Sequence, residues 1–188
     1  LAKIANGSVG FAGTSRLSIE DSSDLNFGTD NFTIEGFFNK VTTTGGNQTL
    51  LASQKYYTAG NNGNWVLRIT DNANIAFATY DGQSNQEFSE FPAPNGADGW
   101  HHFALVREGT GVDQTKFYYD GKLAGSMRVN KSLTDGGSNG IFIGHDDGPN
   151  NDLNGLISNV RIVKGTAVYT SDFTPPTEPL TNITNTKL

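Results

Sequence analysis

The sequence contains no cysteine, few charged residues and no long hydrophobic run. Without cysteine the chain forms no disulfide framework or iron–sulfur cluster, and thiolate catalysis and cysteine-ligated zinc sites are excluded. A membrane-spanning helix would need roughly 18 consecutive apolar residues, and the apolar stretches here are interrupted after a few positions. We therefore expect a chain that does not insert into a membrane and is stabilised by core burial.

The net charge of the chain is negative, and the basic residues form no cluster. The chain has 13 Lys and Arg against 19 Asp and Glu, a formal net charge of −6, with no basic run to offset it locally. Such a surface repels a phosphate backbone. We expect no nucleic-acid partner.

The composition is typical of strands and turns. Only 35% of the 188 residues are hydrophobic, 23 are Gly, and much of the polarity comes from Asn, Thr and Ser. Residues of these kinds favour short strands joined by turns over helices. We expect one domain with an all-β fold and minimal helix, confined to a turn at residues 22–26.

Alternating segments separated by turn residues predict the strands. Residues 64–70 and 74–80 form a hairpin across a short polar connection, and Asp120-Gly121 is the strongest hairpin signal in the chain. Residues 100–107 are apolar on both faces, which predicts a central strand with Trp100 in the core. In the last segment, residues 154–163, one face is predicted to hold Leu156, Ser158, Val160 and Ile162.

Six motifs in order along the chain resemble the laminin G-like branch of the concanavalin A-like lectin and glucanase superfamily. They are Val9–Gly13 with Arg16–Ile19, Phe32–Phe37, Trp100–Arg107, Phe117–Gly121, Ile141–Gly144 and Asn154–Ile162. The resemblance spans nearly the whole chain and implies a two-sheet antiparallel jelly-roll sandwich that displays loops at its rim.

The C-terminal stretch Ile157–Leu180 resembles a narrower subgroup found in virion and tail-fibre proteins of marine bacteriophages and in some bacterial surface proteins. In those proteins the module is one domain of a longer chain. Prolines in Phe173–Pro179 keep this part out of a central strand. We therefore expect a jelly-roll domain at residues 1–174 and a Pro-rich exit segment or linker at 175–188.

The residues of catalytic type do not form a recognisable catalytic set. Glycoside hydrolases need two carboxyls facing each other across the bond that is cleaved, but Glu87 and Glu90 face opposite sides of a strand and Glu35 stands alone. His101 and His102 also point to opposite faces, with no serine nucleophile elbow and no orienting Asp. We expect a protein that is not an enzyme, with both histidines in structural roles.

The loop from His145 to Asp152 is the richest cluster of oxygen ligands. Ca²⁺ prefers six to eight hard oxygens, and the resemblance implies that related domains bind calcium at a rim. Asp and Asn are also ordinary residues of exposed turns. The loop predicts a structural Ca²⁺ site, and its candidate ligands are Asp146, Asp147, Asn150 and Asp152.

The segment after residue 55 has the chemistry of a sugar-binding loop. Aromatic rings stack on the apolar faces of sugars, while amides bond to the hydroxyls. The candidate contacts are Tyr56, Tyr57, Asn61 and Asn62. The same tyrosines can equally cap the end of the sandwich.

Three functions are compatible with these features. The first is a non-enzymatic binding or display module of a phage virion or fibre, attached to a host surface or glycan. The second is a structural capsid or fibre component whose partners are neighbouring virion subunits, and the third is an unrecognised glycoside hydrolase. The first two place the protein at a virion surface or outside the cell, and fold alone does not separate them.

Overall fold

The computed structural model describes residues 7–41, 46–53, 63–80, 86–93, 99–135, 140–146, 148 and 151–188. Within these residues the chain forms twelve β-strands and one 3₁₀ turn, Ser23–Leu25, where the sequence predicts a turn. No helix in the described part of the chain is long and apolar enough to cross a membrane. The strands are β1 (Val9–Ala12), β2 (Leu17–Ile19), β3 (Phe32–Lys40), β4 (Gln48–Ser53), β5 (Asn64–Ile69), β6 (Ile75–Tyr80), β7 (Gln86–Phe91), β8 (His101–Arg107), β9 (Thr115–Tyr119), β10 (Lys122–Met127), β11 (Ile141–Ile143) and β12 (Asn154–Lys164).

The strands form two six-stranded antiparallel sheets. The first sheet has the order β1-β12-β3-β8-β9-β10 and the second β2-β11-β4-β5-β6-β7. Apolar side chains from the inner faces of both sheets fill the space between them, among them Phe32, Phe77 and Phe103. The predicted all-β jelly-roll sandwich is confirmed.

Both predicted hairpins are present. The β5–β6 turn is closed by a hydrogen bond from the Thr70 N–H to the Asn74 carbonyl. At the β9–β10 turn, Asp120 and Gly121 have φ values of +50° and +76°. Two positive φ values are what a tight type I′ turn requires, and Asp-Gly satisfies them at low cost.

A bulge in β12 corrects the predicted face of that strand. Ile157 lies opposite Phe38 and Ile162 opposite Ile34, and the register shifts between Ser158 and Arg161. One extra residue moves the following side chains to the other face. Ile157 and Ile162 therefore both lie in the core, whereas Leu156 and Ser158 point outwards.

The position predicted for Trp100 is also wrong. Strand β8 begins at His101, between β3 and β9, and Trp100 is only half-buried just before it. Trp100 shares its alternation with Ala104 and Val106, which lie on the outer face of the first sheet. The tryptophan in the core is Trp65.

The C-terminal residues return to the first sheet. Residues 166–173, hereafter the strap, run across its outer face, and the last residues lie beside β12. There the Ile162 N–H donates to the Leu188 carbonyl at 3.0 Å and the Lys187 N–H to the Ile162 carbonyl at 2.8 Å. The segment 175–188 thus makes contacts with the sandwich, and the domain boundary after residue 174 stays a prediction.

Candidate functional site

The strap closes the outer face of the first sheet. Thr33 Oγ1 donates to the Thr166 carbonyl at 3.0 Å and accepts from the Val168 N–H at 2.9 Å. The rings of Tyr169 and Phe173 stack with 3.6 Å between their centroids. Because the chain itself occupies this face, the face offers little room for a ligand. The strap packs through Ala167, Tyr169 and Phe173 against Ala104, Val106 and Tyr118.

Glu35 is buried beneath the strap at the centre of an ionic network. Arg161 donates to Oε1 of Glu35 through Nη2 at 2.6 Å and Nε at 2.9 Å. Tyr169 Oη donates to Oε2 at 2.8 Å, and His102 Nε2 lies 3.3 Å from the same oxygen. Burial alone would raise the pKa of Glu35, but the bonds from His102 and Arg161 and the charge of Arg161 leave it below its ordinary value. The carboxylate is ionised and fully engaged, which is a structural role.

The neighbouring histidine has a partner that the sequence did not reveal. His101 and His102 point to opposite faces, as predicted. His101 Nδ1 lies 2.9 Å from Asp120 Oδ2, so an Asp orients this ring after all. The His101 ring also stacks on Tyr119, with centroids 4.9 Å apart. His101 is buried between the sheets, which supports packing over catalysis.

The described part of the predicted calcium loop is already hydrogen-bonded. Asp146 Oδ1 accepts from the Gly148 N–H at 2.9 Å, and its Oδ2 accepts from Asn151 Nδ2 at 3.1 Å. His145 Nδ1 lies 2.6 Å from Asp152 Oδ1. In the ranges that the structure describes, no three His, Asp or Glu side chains converge as a metal site would require. Asp147 and Asn150 lie outside those ranges, and the site stays a prediction.

The predicted sugar-binding loop also lies outside the described residues. This applies to Tyr56, Tyr57, Asn61 and Asn62. Another candidate surface is the outer face of the second sheet, from β11 across to β7.

A row of side chains crosses this outer face over five strands. Phe142 pairs with Ala52, Ala52 with Val66, Val66 with Ala78, and Ala78 with Phe88. The three small residues are buried, but Phe88 is 48% exposed. At about 4.8 Å between neighbouring strands, the two phenylalanines lie roughly 19 Å apart.

An aromatic patch, consisting of Asn74, Tyr80, Phe88 and Glu90, lies at the β6–β7 end of this row. Phe88 and Glu90 are exposed, whereas Asn74 and Tyr80 are half-buried. Phe88 is opposite Ala78 and so diagonal to Tyr80 on the same face, a spacing that lets aromatic side chains meet. Asn74 Nδ2 donates to Glu90 Oε2 at 3.4 Å beside them. Apolar rings next to an amide and a carboxylate match the two chemical faces of a sugar.

Glu87 does not join the patch. It lies opposite Thr79 on the inner side of β7, accepting from Thr79 Oγ1 at 3.1 Å and from the Asn130 N–H at 3.4 Å. The prediction that Glu87 and Glu90 face opposite sides is confirmed. The patch has one of the two carboxyls that glycoside hydrolysis needs.

A cationic group covers the other end of the row. The guanidinium carbon of Arg16 lies 4.7 Å from the centroid of the Phe142 ring. The His145 ring meets Phe142 edge-on, with centroids 5.3 Å apart. At this end the ring of Phe142 makes a cation–π contact with Arg16 and is not left open for a ligand to stack on.

The family assignment follows from the sequence match. Residues 11–168, from β1 into the strap, match the family described as concanavalin A-like lectin/glucanases superfamily, Laminin_G_3. The chain belongs to this family. No curated protein sequence matches it.

Solved structures share the fold of this laminin G-like domain at low identity. Domains LG4-5 of the mouse laminin alpha1 chain have a TM-score of 0.61 and 13% identity, over 90% of this chain and 45% of theirs. A Bacteroides ovatus protein, whose suggested role is carbohydrate binding, has a TM-score of 0.62 and 20% identity, over 89% and 45%. CBM40 of the Ruminococcus gnavus IT-sialidase, bound to alpha2,3 sialyllactose, has 0.62 and 13%, over 86% and 93%. The chain thus spans under half of the first two structures.

A cavity of about 440 Å³ opens between the edges of the two sheets of the laminin G-like domain. Ser158 Oγ in its wall donates to the Gly7 carbonyl at 2.7 Å and accepts from Asn159 Nδ2 at 3.2 Å. The Ser158 hydroxyl is thus engaged, and the mostly apolar wall suits an apolar group better than a sugar. The apolar lining is Val9, Phe11, Leu17, Ile143, Ile157, Val160 and Leu188.

Proposed function

We propose that this laminin G-like domain is a non-enzymatic carbohydrate-binding module that contacts glycan through the aromatic patch. One observation carries the proposal: the strap occupies the outer face of the first sheet, while the second sheet leaves Phe88 exposed beside Tyr80 and the Asn74–Glu90 pair. The carbohydrate-binding role suggested for one structural neighbour and the sialyllactose bound to another support the same ligand class.

Replacing Phe88 by Ala is expected to weaken glycan binding by about 10- to 30-fold, the loss typical of an aromatic contact at the centre of an interface. The measurement is a glycan array followed by titration calorimetry on the best ligand. Leu123→Ala is the matched control, because Leu123 is similarly exposed, at 49%, on β10 of the other sheet. Equal binding by wild type and F88A would remove the patch from the proposal.

The non-enzymatic part of the proposal rests on the described carboxylates. Glu35 is enclosed by Arg161, His102 and Tyr169, and Glu87 and Glu90 face opposite sides of β7. No pair among these three can act on one glycosidic bond. Turnover of a β-glucan by the wild type that is abolished in Glu90→Gln would contradict it.

The proposal for the biological setting rests on the resemblance of Ile157–Leu180 to virion and tail-fibre proteins of marine bacteriophages. We propose that the domain is displayed on a virion or tail fibre, or at another extracellular surface, and attaches to a host-surface glycan. The competing hypothesis is a structural role against neighbouring virion subunits. Inhibition of host-cell adsorption by the isolated domain is expected, and its failure to bind host cells would favour the structural role.

A further inference from the structure

The cavity between the edges of the two sheets opens where the edge of β12 is unpaired. β1 pairs with β12 as far as Val9, which lies opposite Ile157. Further along β12, the Ile162 N–H donates to the Leu188 carbonyl at 3.0 Å. Between these two points no described strand pairs with this edge, and residues 158–160 there form the bulge. The first sheet is therefore open over one short gap, beside the apolar space between the sheets.

The gap contains a residue in an uncommon backbone conformation. Asn159 has a φ of +51°, in the left-handed region that few residues other than glycine adopt and that asparagine tolerates best. Bulges of this kind redirect a side chain and are frequent beside binding sites. The Asn159 side chain lines the cavity together with Ser158 and the exposed Ser8. The polar side chains of the wall are therefore grouped at this one edge.

The rest of the wall is apolar and runs from the core to the solvent. Phe11, Ile143 and Ile157 are core residues and at most 6% exposed. Val9 on β1 and Leu17 on β2 are 43% and 42% exposed at the mouth. No charged side chain is among the described residues that line the cavity. Because an ion would lose its hydration there without gaining a counter-charge, the wall favours an uncharged ligand.

The size of the cavity favours a small molecule over a peptide. Its volume of about 440 Å³ falls within the range of roughly 300–1,000 Å³ that is usual for small-molecule sites. A peptide that adds as a strand needs a long open edge, whereas β1 and the C-terminal residues already cover β12 on both sides of the gap. Since an apolar cavity of roughly 150 Å³ holds a benzene molecule, this one has room for a chain of about eight to ten carbons.

We propose that the cavity binds a small uncharged amphiphile, an aliphatic chain of about eight to ten carbons that ends in a hydroxyl group. The chain lies against Phe11, Ile143 and Ile157, and the hydroxyl donates to Asn159 Oδ1 at the bulge. Asn159 Nδ2 is already engaged by Ser158 Oγ, so the side chain is oriented before the ligand arrives. This site is separate from the aromatic patch and does not rest on the proposed glycan binding.

Titration calorimetry with 1-hexanol, 1-octanol and sodium octanoate at neutral pH tests the site without any substitution. Each CH₂ that the cavity buries should strengthen binding about fourfold, so 1-octanol should bind about 15-fold more tightly than 1-hexanol. Octanoate has the same chain length and a charged head, and it should bind at least about 10-fold more weakly than 1-octanol.

Two variants locate the ligand. Leu17→Trp places an indole ring at the mouth from an exposed position and should weaken 1-octanol binding by about 10-fold or more. Leu123→Trp adds the same ring at a similarly exposed site, 49% against 42%, on β10 and should bind like the wild type. Asn159→Gly keeps the left-handed backbone, removes the acceptor of the hydroxyl and should weaken 1-octanol binding about threefold.

Four results would overturn the proposal. The site is removed if 1-octanol shows no saturable binding to the wild type, or if Leu17→Trp binds it as well as the wild type does. Equal affinity for 1-octanol and octanoate would show that the uncharged wall does not select the ligand. A wild type that binds no 1-octanol and is dimeric in size-exclusion chromatography, with Leu17→Trp monomeric, would assign the cavity to a second copy of the chain.

Discussion

Replacing Glu35 by Gln is expected to lower the free energy of unfolding by about 3–5 kcal/mol, the usual cost of removing one partner from a buried ion pair. Glutamine keeps an acceptor oxygen but not the charge, so the buried Arg161 guanidinium loses its counter-ion. The bond from Tyr169 that fastens the strap also weakens. Urea unfolding monitored by tryptophan fluorescence measures the loss.

Acid should remove the same stabilisation from the wild type. The pKa of Glu35 is lower in the folded state than its ordinary value of 4.5. The carboxyl of Glu35 therefore binds a proton more readily in the unfolded chain than in the folded one. The stabilisation that ionised Glu35 gives the fold is present above pH 4.5 and is lost as the pH falls through the folded-state pKa. Glu35→Gln should lack this part of the acid dependence.

Asp172→Asn is the matched control for the Glu35 variant. Asp172 is exposed and accepts from the Leu123 N–H at 2.9 Å, a bond that the asparagine oxygen can still accept. The free energy of unfolding of Asp172→Asn should stay close to that of the wild type, since the Lys122–Asp172 ion pair that it removes is exposed and exposed ion pairs contribute little. A loss in Glu35→Gln as small as that in Asp172→Asn would show that the buried network does not stabilise the fold.

The Glu35 network shows where prediction from sequence ends. Alternation along β3 is a local pattern, and it puts Phe32 and Ile34 on one face and Glu35 on the other. The partner Arg161 is 126 residues away and faces Glu35 only through the shifted register of β12. A bulge of one residue reverses the faces after it, and no local pattern predicted it.

The sequence and the structure lead to different candidate surfaces, and the surface predicted from sequence lies outside the described residues. The sequence indicated an aromatic sugar-binding surface, and it placed that surface on a loop because Tyr56 and Tyr57 stand among amides. The alternation in β7 separates Phe88 and Glu90 from Glu87, but it cannot tell which face meets the core. The face of β7 that meets the core is known only from the pairing of β7 with β6 in the folded sheet.

Replacing Trp65 by Ala is expected to cost about 3–5 kcal/mol of unfolding free energy, the range for removing a large aromatic side chain from a core. Trp65 is 0% exposed, and its ring lies 5.9 Å from that of Phe27 and 6.3 Å from that of Phe77. Its backbone N–H donates to Ser53 Oγ at 2.8 Å. The cavity left by alanine would lie between the two sheets, where neither can collapse without disturbing the other.

Two further variants separate packing from other effects of the substitution. Trp65→Phe should cost less than Trp65→Ala, because the ring is kept and the indole N–H, which has no partner among the described residues, is removed. Trp100→Ala should also cost less, since Trp100 is half-buried at the start of β8 and not between the sheets. The alternation in the sequence predicts that Trp100 is in the core, whereas the structure has Trp65 there. Comparing the two alanine variants therefore tests the prediction from sequence against the structure. A greater loss for Trp100→Ala than for Trp65→Ala would contradict the placement of Trp65 in the core and of Trp100 at its edge.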